Sequence, residues 1–424
     1  MKLYKSIVMM GLTTFIKLAL ALLVTSYLAR GLGVELFGEL MLYLAIATLA
    51  ALPINFGINT YIMKEMPRRS SRGTFITSSF SFKAISSSLY FLFIFILMYI
   101  IDFDINTLAF LLLFASILVE SCTSYFLTCL RSCGQFKLDL KFSTFSSIVY
   151  LVAIYGVLIY SKSLAIVALS FFISRLICLF LVMKLSSSYL SNFGFIYNKK
   201  LILWFYRSRF FALDSIFSSV HGNMDSIILN NKLGVSAVGF YQSGLKLYLT
   251  ALQVAAVFSN VFLPRASRAY GTLTFKKEVL LLQISFLILS LIVFIIFSSL
   301  SEFIVSIIYG PNFSKLILLM PYFGLLAAQR FIIASLGIVL TSAGAQAFRT
   351  KCNAINLFII IISSFLFLPI TSIQDWFELL LITNLLLFLM YYFWVLYNGF
   401  FSLRVFAFQL LLIAYIIGDL NQVG

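Results

Sequence analysis

The chain has 424 residues, of which 62% are hydrophobic, 17% aromatic and only 10% charged, with a formal net charge of +16 and a mean hydropathy of +1.07. A soluble domain carries about 25% charged residues, so a water-soluble body of this size is excluded. Gly 21, Pro 6 and Cys 5 exclude collagen-like, disordered and disulfide-framework classes. The apolar runs are ~20 residues long rather than alternating segments of ~10, which predicts an all-α polytopic membrane protein and not a barrel.

In chain order the predicted spans are Ile7–Ala29, Leu40–Ile62, Phe80–Ile101, Leu108–Leu130, Phe142–Tyr160 and Leu164–Leu185, then Phe210–Asn230, Val238–Phe262, Val279–Leu300, Leu316–Leu340, Ala354–Pro369 and Trp376–Tyr397. A thirteenth stretch, Val405–Gly418, is short and reads equally as a span or an interfacial helix. The first apolar run follows Lys2 and Lys5 but is long enough to cross, so a retained helix is expected rather than a cleaved signal. Lys and Arg concentrate in alternate loops: Lys64, Arg68, Arg69 and Arg72; Arg131, Lys137 and Lys141; Lys184, Lys199, Lys200, Arg207 and Arg209; Arg265, Arg268, Lys276 and Lys277; Arg349 and Lys351; and Arg404 after the twelfth span. The opposite loops hold only Arg30, Lys162, Lys232 and Lys315. The positive-inside rule then places the N-terminus and the end of the twelfth span in the cytoplasm. The excess charge faces anionic headgroups and is not a nucleic-acid footprint.

The loop LGVELFG at Leu32–Gly38 returns as LGVSAVG at Leu233–Gly239, 201 residues on and again after the first helix of its half. Six spans per half give both halves the same orientation. The sequence therefore predicts two six-helix bundles, 1–200 and 201–400, related by an axis along the membrane normal, with a tail at 401–424. Pro53 and Pro321 are hinge candidates, with a static kink as the alternative.

No GxxxxGK[ST] occurs, the scarcity of histidine gives no support to a triad, and Asp102 and Asp104 form the only close acidic pair, in a short outer loop. No catalytic residue is assigned. Cys129 and Cys133 are four apart, but without histidine partners they read as small hydrophobes; no metal or cofactor is expected.

Ionisable side chains inside spans cost about 2.5–3.5 kcal/mol on insertion scales, so they must face partners or water. The cations are Lys17, Lys83, Arg175, Lys246 and Arg330; the acids are Glu120, Asp214 and Asp225. Lys17, Arg175, Lys246 and Arg330 are the candidate cationic cavity, because guanidinium and ammonium groups suit phosphate oxygens. Structural pairing of an arginine with Glu120 is the competing reading. Lys83, near a span end, is expected to snorkel. Glu120, Asp214 and Asp225 are candidate ion-coupling groups, and His221, one turn from Asp225, offers either a structural pair or a proton relay.

Several stretches carry a family likeness. They are RGLGVELFGE at Arg30–Glu39, NFGINTYIMKEMPR at Asn55–Arg68, DSIILNNKLGVSAVGFYQSGLKL at Asp225–Leu247, FLPRASRAY at Phe262–Tyr270 and IYGPNF at Ile308–Phe313. On these the chain resembles the Wzx-type polysaccharide repeat-unit flippases of the multidrug/oligosaccharidyl-lipid/polysaccharide exporter superfamily. The resemblance implies a MATE-like pair of six-helix bundles opening alternately to each side of the bacterial inner membrane. It implies an undecaprenyl-diphosphate-linked oligosaccharide as cargo, of O-antigen or similar type. It further implies membrane lipids and other polysaccharide-assembly membrane proteins as partners, and H⁺ or Na⁺ as candidate coupling ions. A multidrug exporter and a peptidoglycan-precursor exporter of the same superfamily are the alternatives, and a polytopic polymerase is the enzymatic one.

Overall fold

The computed structural model describes residues 2–55, 58–66, 72–101, 106–190, 219–220, 222–367 and 370–399. Among them no strand occurs. Asp214 and His221, the first part of the seventh predicted span (210–218), the stretch Val405–Gly418 and the expected domain limits at 200 and 401 lie outside the described residues.

Nine described segments are long and apolar enough to cross a membrane. The first, Phe15–Ile54, has 40 residues. At ~1.5 Å per residue it is about 60 Å long, twice a hydrocarbon core of ~30 Å. It lies mostly in helix α1, Lys2–Ala50, which breaks direction at Gly33 (φ 78, ψ 178). That combination is open essentially to glycine alone. Gly234 takes the same conformation (φ 84, ψ 177) immediately before helix α6, Val235–Ala269. The repeated LGV loop is thus a repeated backbone geometry, with each glycine breaking one helix from the next.

The second predicted span needs correction. It does not run unbroken from Leu40 to Ile62: α1 ends at Ala50 and the chain continues as two short helices, Leu52–Asn55 and Ile58–Glu65. Pro53 explains the break, because its ring lacks the N–H that would continue the ladder and crowds the carbonyl four residues earlier. Pro321, by contrast, sits in the second turn of a helix that stays intact.

The chain divides into two compact units, Met1–Ile227 and Ile228–Gly424. In the first, α1 is followed by α2 (Arg72–Ile101), α3 (Thr107–Ser132), α4 (Phe136–Tyr160) and α5 (Leu164–Leu190). Helix α3 is the hub, packing on α5, α1 and Ile58–Glu65. Its Tyr125 hydroxyl donates to the Ile76 carbonyl at 3.0 Å and shares a 2.6 Å hydrogen bond with Ser79 Oγ, tying α3 to α2. The helical residues 222–233 span the division, and in the second unit α6 is followed by α7 (Phe275–Ser299), the short helix Ser301–Ile308, α8 (Lys315–Ser342), α9 (Gln346–Ile362) and α10 (Ile373–Tyr397). Helix α8 is the hub here, packing on α7, α6 and α10. A capping box closes the start of α10, with Ser372 and Asp375 exchanging side-chain-to-backbone hydrogen bonds.

Buried and half-buried hydroxyls within these helices turn back on their own backbone. Thr25 donates to Ala21 O, Ser116 to Leu113 O, Ser243 to Gly239 O and Thr341 to Gly337 O, at 2.7–2.8 Å. Such bonds let an apolar helix carry small polar residues without an unsatisfied group in hydrocarbon.

The two hub helices end alike. After α3, Gly134 N–H donates to Arg131 O and Gln135 N–H to Leu130 O; after α8, Gly344 N–H donates to Thr341 O and Ala345 N–H to Leu340 O. Both are Schellman turns, and each leads within two residues into the next helix.

Candidate functional site

The candidate charges sort into two groups by unit. In the first, Arg175 on α5 meets Glu120 on α3 with Nη2 2.8 Å from Oε2. Its Nη1 donates to Ser116 Oγ at 2.9 Å. The guanidinium also stands 5.8 Å from the Tyr150 ring and 5.7 Å from the Phe171 ring, close enough for cation–π attraction. Glu120 keeps its side chain 58% exposed while Arg175 is only 18% exposed. The arginine is therefore the enclosed member of the pair, and its charge is matched by a carboxylate.

A second pair lies in the hairpin between α3 and α4. Arg131 grips Asp139 through two parallel bonds, Nε to Oδ2 at 2.9 Å and Nη2 to Oδ1 at 3.0 Å. Asp139 is 3% exposed and also takes a long 3.4 Å contact from Ser143 Oγ. Lys17 lies within electrostatic reach of Asp139, Arg131 and Glu120. The first unit thus sets most of its interior cations beside acids. Lys83 does not snorkel: it is wholly enclosed, within electrostatic reach of Cys122 and Cys129. Depth along the helix suggested an escape to the surface, but the packing of α2 turns that residue inward.

The second unit is arranged differently. A cavity of about 360 Å³ opens among α6, α8, α9 and α10. Its polar lining is Arg330 and Thr341 from α8, Arg349 and Asn353 from α9, Ser259 from α6 and Tyr391 from α10. The remaining lining is aliphatic or small, and no carboxylate belongs to it. Arg349 is steered by Thr341, whose Oγ1 accepts from Nη1 at 2.8 Å. Tyr391 donates to Asn353 Oδ1 at 2.8 Å, which fixes the amide and leaves its NH₂ as a donor. Gly337 lies against both groups: a Cβ there would stand in ordinary contact, 3.7 Å from Arg349 Nε and 3.8 Å from the Tyr391 ring. The volume falls in the ~300–1,000 Å³ range of small-ligand pockets.

Of the four predicted cavity cations, the structure places Arg330 in this pocket. Lys246 lies elsewhere in α6, and among the described residues no carboxylate bridges it. Asp225 lies in the helix 222–233, at the end of the first unit, and not on the cavity wall. Arg349 is the residue that sequence reasoning missed, counted as a loop cation because it follows the tenth span. The signal for it was the hairpin: Thr341 and Arg349 occupy the two places in the second hairpin that Arg131 and Asp139 occupy in the first.

Two hub-centred helical units, many apolar crossings and a cation-lined hollow define the class as a multi-pass helical membrane protein. The chain belongs to a family of polysaccharide biosynthesis proteins, whose sequence pattern matches residues 3–270. No curated protein sequence matches it. Among solved structures it is similar to the lipid II flippase MurJ in an inward closed conformation, with a TM-score of 0.72 at 15% identity, covering 96% of this chain and 92% of that one. It is also similar to a multidrug resistance MATE family transporter of the MOP superfamily in an inward-facing conformation. There the TM-score is 0.68 at 13% identity, with 95% of this chain and 98% of that one covered. The outward-facing conformation of such a MATE transporter gives 0.60 at 14% identity, over 95% and 96% of the two chains. At these identities the likeness shows a shared fold.

Proposed function

We propose that the protein is a flippase that carries an undecaprenyl-diphosphate-linked oligosaccharide, an O-antigen unit or a similar repeat, across the bacterial inner membrane by alternating access. Its N-terminus is then cytoplasmic. The observation that carries the reading is the cavity with two arginines and no carboxylate, in a chain of a polysaccharide biosynthesis family. A diphosphate cannot enter hydrocarbon unaided, since isolated charges lose tens of kcal/mol of Born solvation there. Fixed guanidinium groups in a hydrated hollow replace that lost solvation, and the bound state must remain weak enough to release. Lys17, Arg175, Lys246 and Arg330 are proposed to line the cargo's path. Arg175 does so as the member of an ion pair that anionic cargo competes for.

Coupling to H⁺ or Na⁺ is proposed at Glu120, Asp214 and Asp225. Glu120 is the best placed of these, because its carboxylate is largely exposed while bonded to an enclosed arginine. A multidrug exporter of organic cations would want acids in the hollow, and the second unit's cavity has none. Membrane lipids and other polysaccharide-assembly proteins are the expected partners.

Loss of the protein from its host cell is expected to abolish surface polysaccharide and to leave lipid-linked repeat units on the cytoplasmic leaflet. Arg330→Ala, at normal protein level, is expected to lower surface polymer about tenfold or more, in line with one lost charge-assisted hydrogen-bond partner. Unchanged polymer in the deleted strain would overturn the reading.

A further inference from the structure

The paired hairpins allow a finer assignment. Both hub helices end in the same turn, and in both the residue three before the turn glycine reaches the residue five after it. In the first hairpin that contact is Arg131 with Asp139, a bidentate ion pair. In the second it is Thr341 with Arg349, a neutral hydroxyl accepting one guanidinium N–H. The same place in the fold therefore holds a cancelled charge in one unit and an uncancelled one in the other. Among the described residues no carboxylate pairs with Arg349. Thr341 takes one of its five N–H donors, and the Tyr391 hydroxyl also stands within hydrogen-bonding reach of the guanidinium.

We propose that the cavity of the second unit is the diphosphate site, with Arg349 and Arg330 as the oxyanion ligands, and that the first unit's hairpin is built not to bind. This rests on the lipid-linked diphosphate reading above and narrows it to one half of the chain. Three features of the cavity suit a diphosphate in particular. A guanidinium group binds phosphate oxygens through parallel donors, a geometry that an ammonium does not provide. Asn353 adds neutral donors, with its orientation locked by Tyr391. The aliphatic wall, with Leu252 and Ile333, lowers the local dielectric and strengthens each charge-assisted bond. The neutral partner at 341 matters as much as the arginine, because a carboxylate there would take the guanidinium for itself.

That last point supplies the experiment. Thr341→Asp should recreate in the second hairpin the ion pair of the first, keeping the fold while cancelling the site. Binding is measured on the purified full chain in neutral detergent, with undecaprenyl diphosphate as the probe and inorganic pyrophosphate and phosphatidylglycerol as competitors. The expected result is that undecaprenyl diphosphate binds and pyrophosphate displaces it, while phosphatidylglycerol does not. Thr341→Asp and Arg349→Ala should each weaken binding about tenfold or more. Arg349→Lys should fall between, and Arg265→Ala, an exposed surface cation paired with Glu278, should match the parent. Thermal unfolding of each variant separates lost binding from lost fold, and Arg349→Lys carries the test if Thr341→Asp does not fold.

Equal binding by the parent, Thr341→Asp and Arg349→Ala would place the site elsewhere and overturn this assignment, while leaving the carrier reading intact. Displacement by phosphatidylglycerol as readily as by pyrophosphate would overturn it in favour of a general headgroup contact. Failure of the parent to bind undecaprenyl diphosphate at all would remove the carrier reading beneath it.

Discussion

Gly244→Ala is expected to destroy the second unit's packing with one methyl group. A Cβ at Gly244 would stand 2.0 Å from Phe323 Cε2, and 2.6 and 2.7 Å from its Cδ2 and Cζ. Phe323 has no room to yield. It is wholly buried and wedged among Tyr241, Tyr248 and Phe377, with ring centroids 5.6, 6.2 and 4.7 Å away. Overpacking usually costs about 1–3 kcal/mol and occasionally more; this contact belongs at or beyond the upper end, since the clash is with a ring held on three sides. The physical reason for glycine is close approach of α6 to the hub helix α8, the device that small residues provide wherever helices associate in lipid. Loss of monodisperse protein in detergent, or a large fall in its thermal midpoint, is the expected reading. Partial recovery in Gly244→Ala/Phe323→Leu would confirm the cause, and an unchanged midpoint in the single variant would contradict it.

The second large effect is expected at Arg131. Its removal strands Asp139, which is 3% exposed and held by two charge-assisted bonds. Breaking one side of a buried pair typically costs about 3–5 kcal/mol, whereas replacing both partners with apolar residues is often neutral. Arg131→Ala should therefore lower the thermal midpoint sharply, while Arg131→Met/Asp139→Leu should sit close to the parent. A single variant as stable as the double would show that Asp139 finds water or another cation. Because this pair belongs to the hairpin assigned no cargo, the double variant should also keep undecaprenyl diphosphate binding.

The sequence carried the fold's outline because crossing a bilayer is a one-dimensional requirement. Length and polarity decide it, and both are readable directly. The bend at Gly33 and the matching geometry at Gly234 were legible as a repeated LGV loop. What hydropathy could not show was orientation about each helix axis. Helices apolar all round have no polar stripe to mark their inner face, so Lys83 read as a snorkelling residue although the packing encloses it. Pro53 was legible as an irregularity, but whether it kinks or breaks a helix depends on what packs beside it.

The site was legible in part for the same reason. Arg330 stood out because a mid-span arginine must be explained. Arg175 and Glu120 stood out equally, and their mutual distance, a matter of α3 against α5, was the missing fact. Arg349 was hidden by its position: just past a hairpin it looks like one of the cytoplasmic loop cations. Its partner at Thr341 carries no charge to draw attention, and the likeness of the two hairpins is confined to LRSCG at 130–134 against LTSAG at 340–344. Only the common contact across eight residues, ionic in one unit and neutral in the other, sets Arg349 apart.

The most direct measurement is transport by the purified full chain reconstituted into vesicles. An undecaprenyl-diphosphate-linked oligosaccharide is placed in the inner leaflet, and its sugar is scored as it becomes accessible to an external glycosidase. The expected result is exposure well above the rate in protein-free vesicles, lost in Arg349→Ala and in Thr341→Asp and retained in Arg265→Ala. Exposure no faster than in protein-free vesicles, from protein that is folded and correctly inserted, would contradict a flippase.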